Sequence, residues 1–239
     1  MPYAGVNGVE LYYEVHGQGD WLVLVHEFSG CYKSWEPQLE AFAREFRVLV
    51  YSCRGVEQPF LGGFSMGGSI ALNYGLAYPD RVRALILAGT GTGSADKAQF
   101  QREFGPIADR LEREGPRKVA EDYLRSPTRI QLLRKNPAMW RKLHDDFVQL
   151  SATGLAHTLR GVQLRRPTMY ELEDGMQELR VPTLVIVGDE DTPAVDASRF
   201  LAARIPNATL AVLPATGHTL NLEEPERFNA AVLEFLRRR

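Results

Sequence analysis

The chain has 239 residues, 44% hydrophobic and 24% charged, with a net charge of -2 at pH 7. That length suits one α/β domain with an insertion, and the interspersed acids and bases leave no footprint for nucleic acid and no basic membrane patch. Cys31 and Cys53 are too few for a disulfide-built secreted scaffold, no apolar run approaches bilayer-spanning length, and Met1 to Val6 lacks a signal-peptide pattern, so a cytoplasmic protein is expected.

Val9 to Val15 alternates as a strand after a turn at Asn7-Gly8, an antiparallel entry hairpin. Trp21 to His26 and Arg47 to Ser52 are continuous apolar runs, the pattern of strands in a sheet covered on both faces. Between them Trp35, Leu39, Phe42 and Phe46 recur at helical spacing. Pro59, Phe60 and Leu61 begin another strand, and a helix runs on from Ser69 through Tyr74. Val82 to Ala88 is a buried strand, Pro182 to Val187 and Ala208 to Leu213 are two more, Val195 to Ile205 is a helix, and Pro225 to Arg239 closes the chain as a helix with Phe228, Val232 and Phe235 inward. Alternating strands and helices predict a doubly wound, mostly parallel sheet.

Residues 92–180 break the alternation. They contain no strand pattern, and their helical stripes (Phe100, Phe104, Ile107, Leu111, then Trp140, Leu143, Phe147, Leu150) read as the interior of an inserted helical cap. The expected division is a core of residues 1–91 and 181–239 with a cap of residues 92–180. One or two of Met139, Trp140, Met169 and Tyr170 are candidates to face a substrate.

Chemistry concentrates at three places. Gly63-Phe-Ser-Met-Gly-Gly68 is a G-x-S-x-G turn set between a strand and a helix, where the hydroxyl of Ser65 is pushed out over the sheet. The strand ending at Val187 is followed by Gly188-Asp-Glu-Asp191, and the strand ending at Leu213 leads to Gly217-His218. Serine is a poor nucleophile at neutral pH and needs a base, which in turn needs a carboxylate to hold its tautomer. Spacing alone does not rank Asp189, Glu190 and Asp191. His218 stands out among five histidines by its loop position after the last strand, whereas His26 reads as a structural group.

These pieces, with Leu22-Val-Leu-Val-His26, Tyr78-Pro-Asp-Arg-Val82 and Leu222-Glu-Glu-Pro-Glu-Arg-Phe228, resemble the α/β-hydrolase superfamily. The resemblance covers both ends of the chain. It implies a Ser65–His218–Asp191 triad, the acid lying three residues after the strand-end glycine; the other usual place for the acid, around Gly89 to Ser94, holds no carboxylate. It also implies an oxyanion hole from the backbone N–H groups of Phe28 and Met66, with no cofactor and no metal. The expected activity is hydrolysis of a small carboxylic ester or lactone through an acyl-enzyme. Carbon–carbon hydrolase, cofactor-free perhydrolase and non-catalytic ligand binder are the alternatives. The expected partner is a small-molecule substrate, with the chain a monomer or homodimer.

Two departures stand out. The usual His-Gly is here His26-Glu27, and a carboxylate facing the oxyanion site would oppose the developing charge. Glu27 is expected either to turn away and pair with Arg54 or to be a solvated loop glutamate. Second, Cys53 to Pro59 alone joins the strand ending at Ser52 to the one entering Ser65, although a parallel crossover takes about a dozen residues. Either a deletion has removed a helix, or the sequence omits residues present in the molecule; the second is preferred, because losing a covering helix bares apolar sheet face.

Overall fold

A computed structural model describes residues 3–6, 9–28, 31–50 and 59–239. The entry hairpin pairs β1 (Tyr3–Val6) antiparallel with β2 (Val9–Tyr12); its Asn7-Gly8 turn lies outside the described residues. The alternating run does not continue as one strand. It breaks at Tyr13, and β3 (Glu14–His16) joins a different sheet.

Then follow β4 (Trp21–Val25), α1 (Glu36–Ala43), β5 (Arg47–Val50), β6 (Phe60–Phe64), α2 (Met66–Ala77) and β7 (Ala84–Ala88). The seven-stranded main sheet has the order β3-β5-β4-β6-β7, completed by β8 (Thr183–Gly188) and β9 (Ala208–Leu213). Only β3 is antiparallel to its neighbour. Strand β4 thus lies between β5 and β6. The short connection from β5 to β6, with Arg54, lies outside the described residues.

Continuous apolar strands are explained by a core on each face. Leu22 and Leu24 point to one side with Trp35 and Phe42 of α1 and its lead-in, and with Phe228, Val232 and Phe235 of the closing helix. Val23 and Val25 point to the other with Ala71 and Leu72 of α2 and Leu201. Alternation along a strand then separates two apolar layers rather than core from solvent.

Between β7 and β8 the chain is helical without a strand: α3 (Lys97–Glu114), α4 (Pro116–Tyr123), α5 (Ile130–Lys135), α6 (Pro137–Val148), α7 (Ala152–Thr158) and α8 (Glu173–Glu178). Local chemistry sets these boundaries. The Asp96 carboxylate accepts from the Gln99 N–H at the start of α3, and Asn136 does the same for Met139 at the start of α6, with Pro137 in the first helical position. Gly115, at φ 81°, ends α3 in a conformation that favours glycine. Helices α3 to α7 share an apolar cluster that also takes in Phe28 and Met66 from the sheet's edge, whereas Met176 of α8 packs with the sheet-face cluster. The chain ends with α9 (Thr192–Arg204), β9, α10 (Leu220–Glu223) and α11 (Pro225–Leu236). Among the described residues no helix is long and apolar enough to cross a membrane.

Candidate active site

Strands β6, β8 and β9 are parallel, so the residues after their C-terminal ends meet at one edge of the sheet. Ser65 follows β6 directly, at φ 55°, a left-handed conformation uncommon outside glycine. The turn closes only because its neighbours lack side chains: a Cβ on Gly63 would overlap the Gly67 carbonyl, and one on Gly67 would overlap that of Val25. The backbone N–H of Ser65 donates to the Ala88 carbonyl at 2.8 Å, pinning the turn to β7.

His218 reaches both partners. Its Nδ1 lies 2.6 Å from Asp191 Oδ2 and its Nε2 3.0 Å from Ser65 Oγ. A carboxylate can only accept, so Nδ1 carries the proton, Nε2 accepts, and the Ser65 hydroxyl donates to it. His218 and Asp191 are buried. Burial pushes the imidazole below its ordinary value of 6.5; Asp191 pulls it back up and the positive charge of Arg129 pushes it down again. The ring is therefore neutral, and able to take a proton, at neutral pH.

The three candidate carboxylates separate cleanly. Asp189 accepts from the Thr216 N–H, Glu190 accepts from the Gln131 side chain, and Asp191 alone meets His218. The histidine loop is held from two further sides that the sequence did not reveal. The His218 N–H donates to the Thr128 carbonyl at 2.6 Å, and buried Glu223 accepts from the N–H groups of Gly217 and Thr219 and from the Thr219 hydroxyl. His26 makes no contact of this kind with Ser65; its ring donates through Nδ1 to the Glu27 carbonyl at 2.7 Å.

Glu27 is not a solvated loop residue. It is 3% exposed, and its Oε1 accepts from the Ser34 hydroxyl at 3.0 Å while its Oε2 is buried with no hydrogen-bond partner among the described residues. Burial pushes its carboxyl up to about 7, against smaller opposing effects from its own backbone N–H, the Ser34 hydroxyl and the charge of Arg129. Arg54 lies outside the described residues.

A narrow cavity beside Ser65 and His218 is lined from the helical segment by Phe100, Phe104, Tyr123, Arg129, Gln163 and Arg166. Its free volume of about 20 Å³ is little more than a water molecule requires. A groove of about 260 Å³ shares Phe104, Tyr123 and Arg129 with it. None of the four expected substrate-facing residues lines the cavity. Trp140 is buried among the helices, donating to the Leu124 carbonyl; Met169 is buried against the sheet; Tyr170 is exposed; Met139 lines a separate cleft with Cys31. The stripe of Phe100 and Phe104, read from spacing as cap interior, also walls the cavity.

Residues 29–226 match the family described as serine aminopeptidase, S33. The chain belongs to this family. Its members are hydrolases of the α/β-hydrolase fold, and solved structures agree. The enol-lactonase from Burkholderia xenovorans LB400 superposes with a TM-score of 0.87 at 26% identity, covering 99% of this chain and all of that one. A thermophilic esterase from Thermogutta terrifontis gives 0.85 at 28% identity, covering 99% of this chain and 96% of that one. Among curated relatives, a 2-hydroxy-6-oxononadienedioate/2-hydroxy-6-oxononatrienedioate hydrolase of Burkholderia vietnamiensis is 31% identical over 205 residues, 80% of this chain and 67% of that protein.

Proposed function

We propose that this S33-family chain cleaves a small carboxylic ester or lactone through an acyl-enzyme. The observation that carries the reading is the continuous chain of hydrogen bonds from Asp191 through His218 to Ser65, at 2.6 and 3.0 Å. As Ser65 Oγ attacks the carbonyl carbon, its proton passes to His218 Nε2. Asp191 stabilises the imidazolium that results. The carbonyl oxygen becomes an oxyanion held by the N–H groups of Met66, at the head of α2, and Phe28; one such donor is worth about 3 kcal/mol. His218 then returns the proton to the leaving alkoxide. Water, activated by the same imidazole, releases the acid and restores Ser65. The lactonase and esterase likenesses support this bond type. The relative that hydrolyses an oxo-dienedioate favours a second reading, carbon–carbon cleavage by the same residues, which product analysis would separate. The substrate is a small molecule and the setting cytoplasmic.

A fluorophosphonate probe tests the nucleophile. It is expected to label the intact protein stoichiometrically and to leave Ser65→Ala unlabelled, with p-nitrophenyl acetate turnover lost in the same variant. A folded wild-type protein that resists the probe would favour a ligand binder instead.

A further inference from the structure

Arg166 lines the cavity with Ser65 and His218, and its surroundings are unusual for a guanidinium. Its Nε donates to Gln163 Oε1 at 2.9 Å, one terminal nitrogen to Ser69 Oγ at 3.1 Å, and the other to the Thr92 carbonyl at 2.7 Å. All three acceptors are neutral, and among the described residues no carboxylate lies within ion-pairing distance. Burial without a counter-charge pushes its pKa down to about 10, which still leaves it a cation at neutral pH. Arg166 is half-buried, and a charge drawn even partly out of water is normally paired, because desolvation is costly and a counter-ion or several good hydrogen bonds offset it.

The same cavity holds a second guanidinium. Arg129 donates to the Tyr123 hydroxyl at 2.8 Å and lies over the Tyr123 ring, and it too has no carboxylate within ion-pairing distance among the described residues. Among the described residues, those lining the cavity include these two arginines and no acid. Asp191 lies behind His218, and Glu27 has its carboxyl pushed up towards neutrality. Two cations facing one small space create a positive potential there, which low-dielectric walls concentrate.

We propose that Arg166 is an anion subsite of this active site, so that the substrate carries a carboxylate distal to its scissile carbonyl. This rests on the acyl-enzyme reading for the reacting end. The guanidinium retains N–H donors beyond the three engaged, in the planar arrangement that suits a carboxylate. Its contacts to Ser69 of α2, to Thr92 after β7 and to Gln163 fix it relative to Ser65, since α2 begins at the elbow itself. Binding the carboxylate supplies the missing counter-charge and orients the ester against Ser65.

The test compares two esters that differ in one charge: mono-p-nitrophenyl glutarate and its methyl ester. The wild type is expected to prefer the free acid in kcat/KM by about 10-fold to 100-fold, the range of one charge-assisted hydrogen-bonded contact. In Arg166→Gln the ratio falls to near one. Should that variant not fold, Arg166→Lys, which keeps the charge but loses the planar fork, is expected to lower the ratio several-fold. A wild-type ratio at or below one, or a ratio unchanged by these substitutions, overturns the subsite. Calorimetry on Ser65→Ala separates it from the chemistry. Monomethyl glutarate is expected to bind and dimethyl glutarate not to bind. If wild-type protein turns over neither ester and resists the fluorophosphonate, the acyl-enzyme reading fails while this binding still decides the subsite; equal binding of the two glutarates overturns it.

Discussion

Glu27 is the residue whose chemistry departs furthest from its position in the chain. A carboxyl at a loop's start is ordinarily solvated and ionised, yet here it is enclosed with one oxygen on Ser34 and the other without a partner among the described residues. The sign of its effect on stability follows from linkage. Below its ordinary 4.5 the group is protonated both folded and unfolded. Between 4.5 and about 7 the folded protein keeps a proton that the unfolded chain has lost, so stability falls as pH rises; above about 7 the loss is complete. The full loss is of order 3 kcal/mol. Glu27→Gln removes the ionisation and keeps a hydrogen-bonding oxygen for Ser34. Urea melts are expected to show the variant gaining on the wild type by up to about 3 kcal/mol between roughly pH 5 and pH 8, whereas a difference independent of pH would contradict the burial argument. Sequence exposed Ser65 and His218 because each sits in a motif with a turn glycine beside it. It exposed neither Arg129 nor Arg166, since a single arginine in a charged helical segment carries no mark of which way it faces.

At the scale of elements, the histidine loop depends on parts far apart in the chain. The backbone between α4 and α5 offers the Thr128 carbonyl to the His218 N–H, Gln131 of α5 ties down Glu190, and α10 supplies Glu223. Helix α10 is only four residues long, and its placement converts Glu223 from an exposed terminal acid into a clamp with three donors on it. Burial raises its carboxyl above the ordinary 4.5. Glu223 contacts Gly217 and Thr219 on either side of His218, and under the proposed acyl transfer its role is to position that base. Glu223→Ala is expected to lower kcat by about 10²-fold with KM little changed, the effect of displacing a base by about 1 Å, and Glu223→Gln to restore part of the loss. A fall in stability with kcat intact would reduce Glu223 to a structural role. The sequence marked this stretch as part of the closing loop and helix without assigning the glutamate a partner, because the partners lie in a turn whose course is set by β9.

Across the whole molecule, the sheet was the most legible part. Five-residue and six-residue apolar strands such as β4 and β8 need cover on both faces, and α1 with α11 on one side and α2 with α9 on the other supply it. The helical segment between β7 and β8 was legible as helical and not as a binding surface. Its stripes serve both its own interior and the cavity wall, and periodicity reports burial without saying against what. The strand order carries the three loops that hold Ser65, Asp191 and His218 to one edge, and everything proposed for the site depends on that convergence. The most direct test is to quench the reaction with p-nitrophenyl acetate early and locate the acyl group by peptide mass spectrometry. One acetyl group on the peptide carrying Ser65, formed in wild type at the rate of the nitrophenolate burst and absent from His218→Ala on that timescale, is the result expected. Turnover without any acyl group on Ser65 would contradict the account.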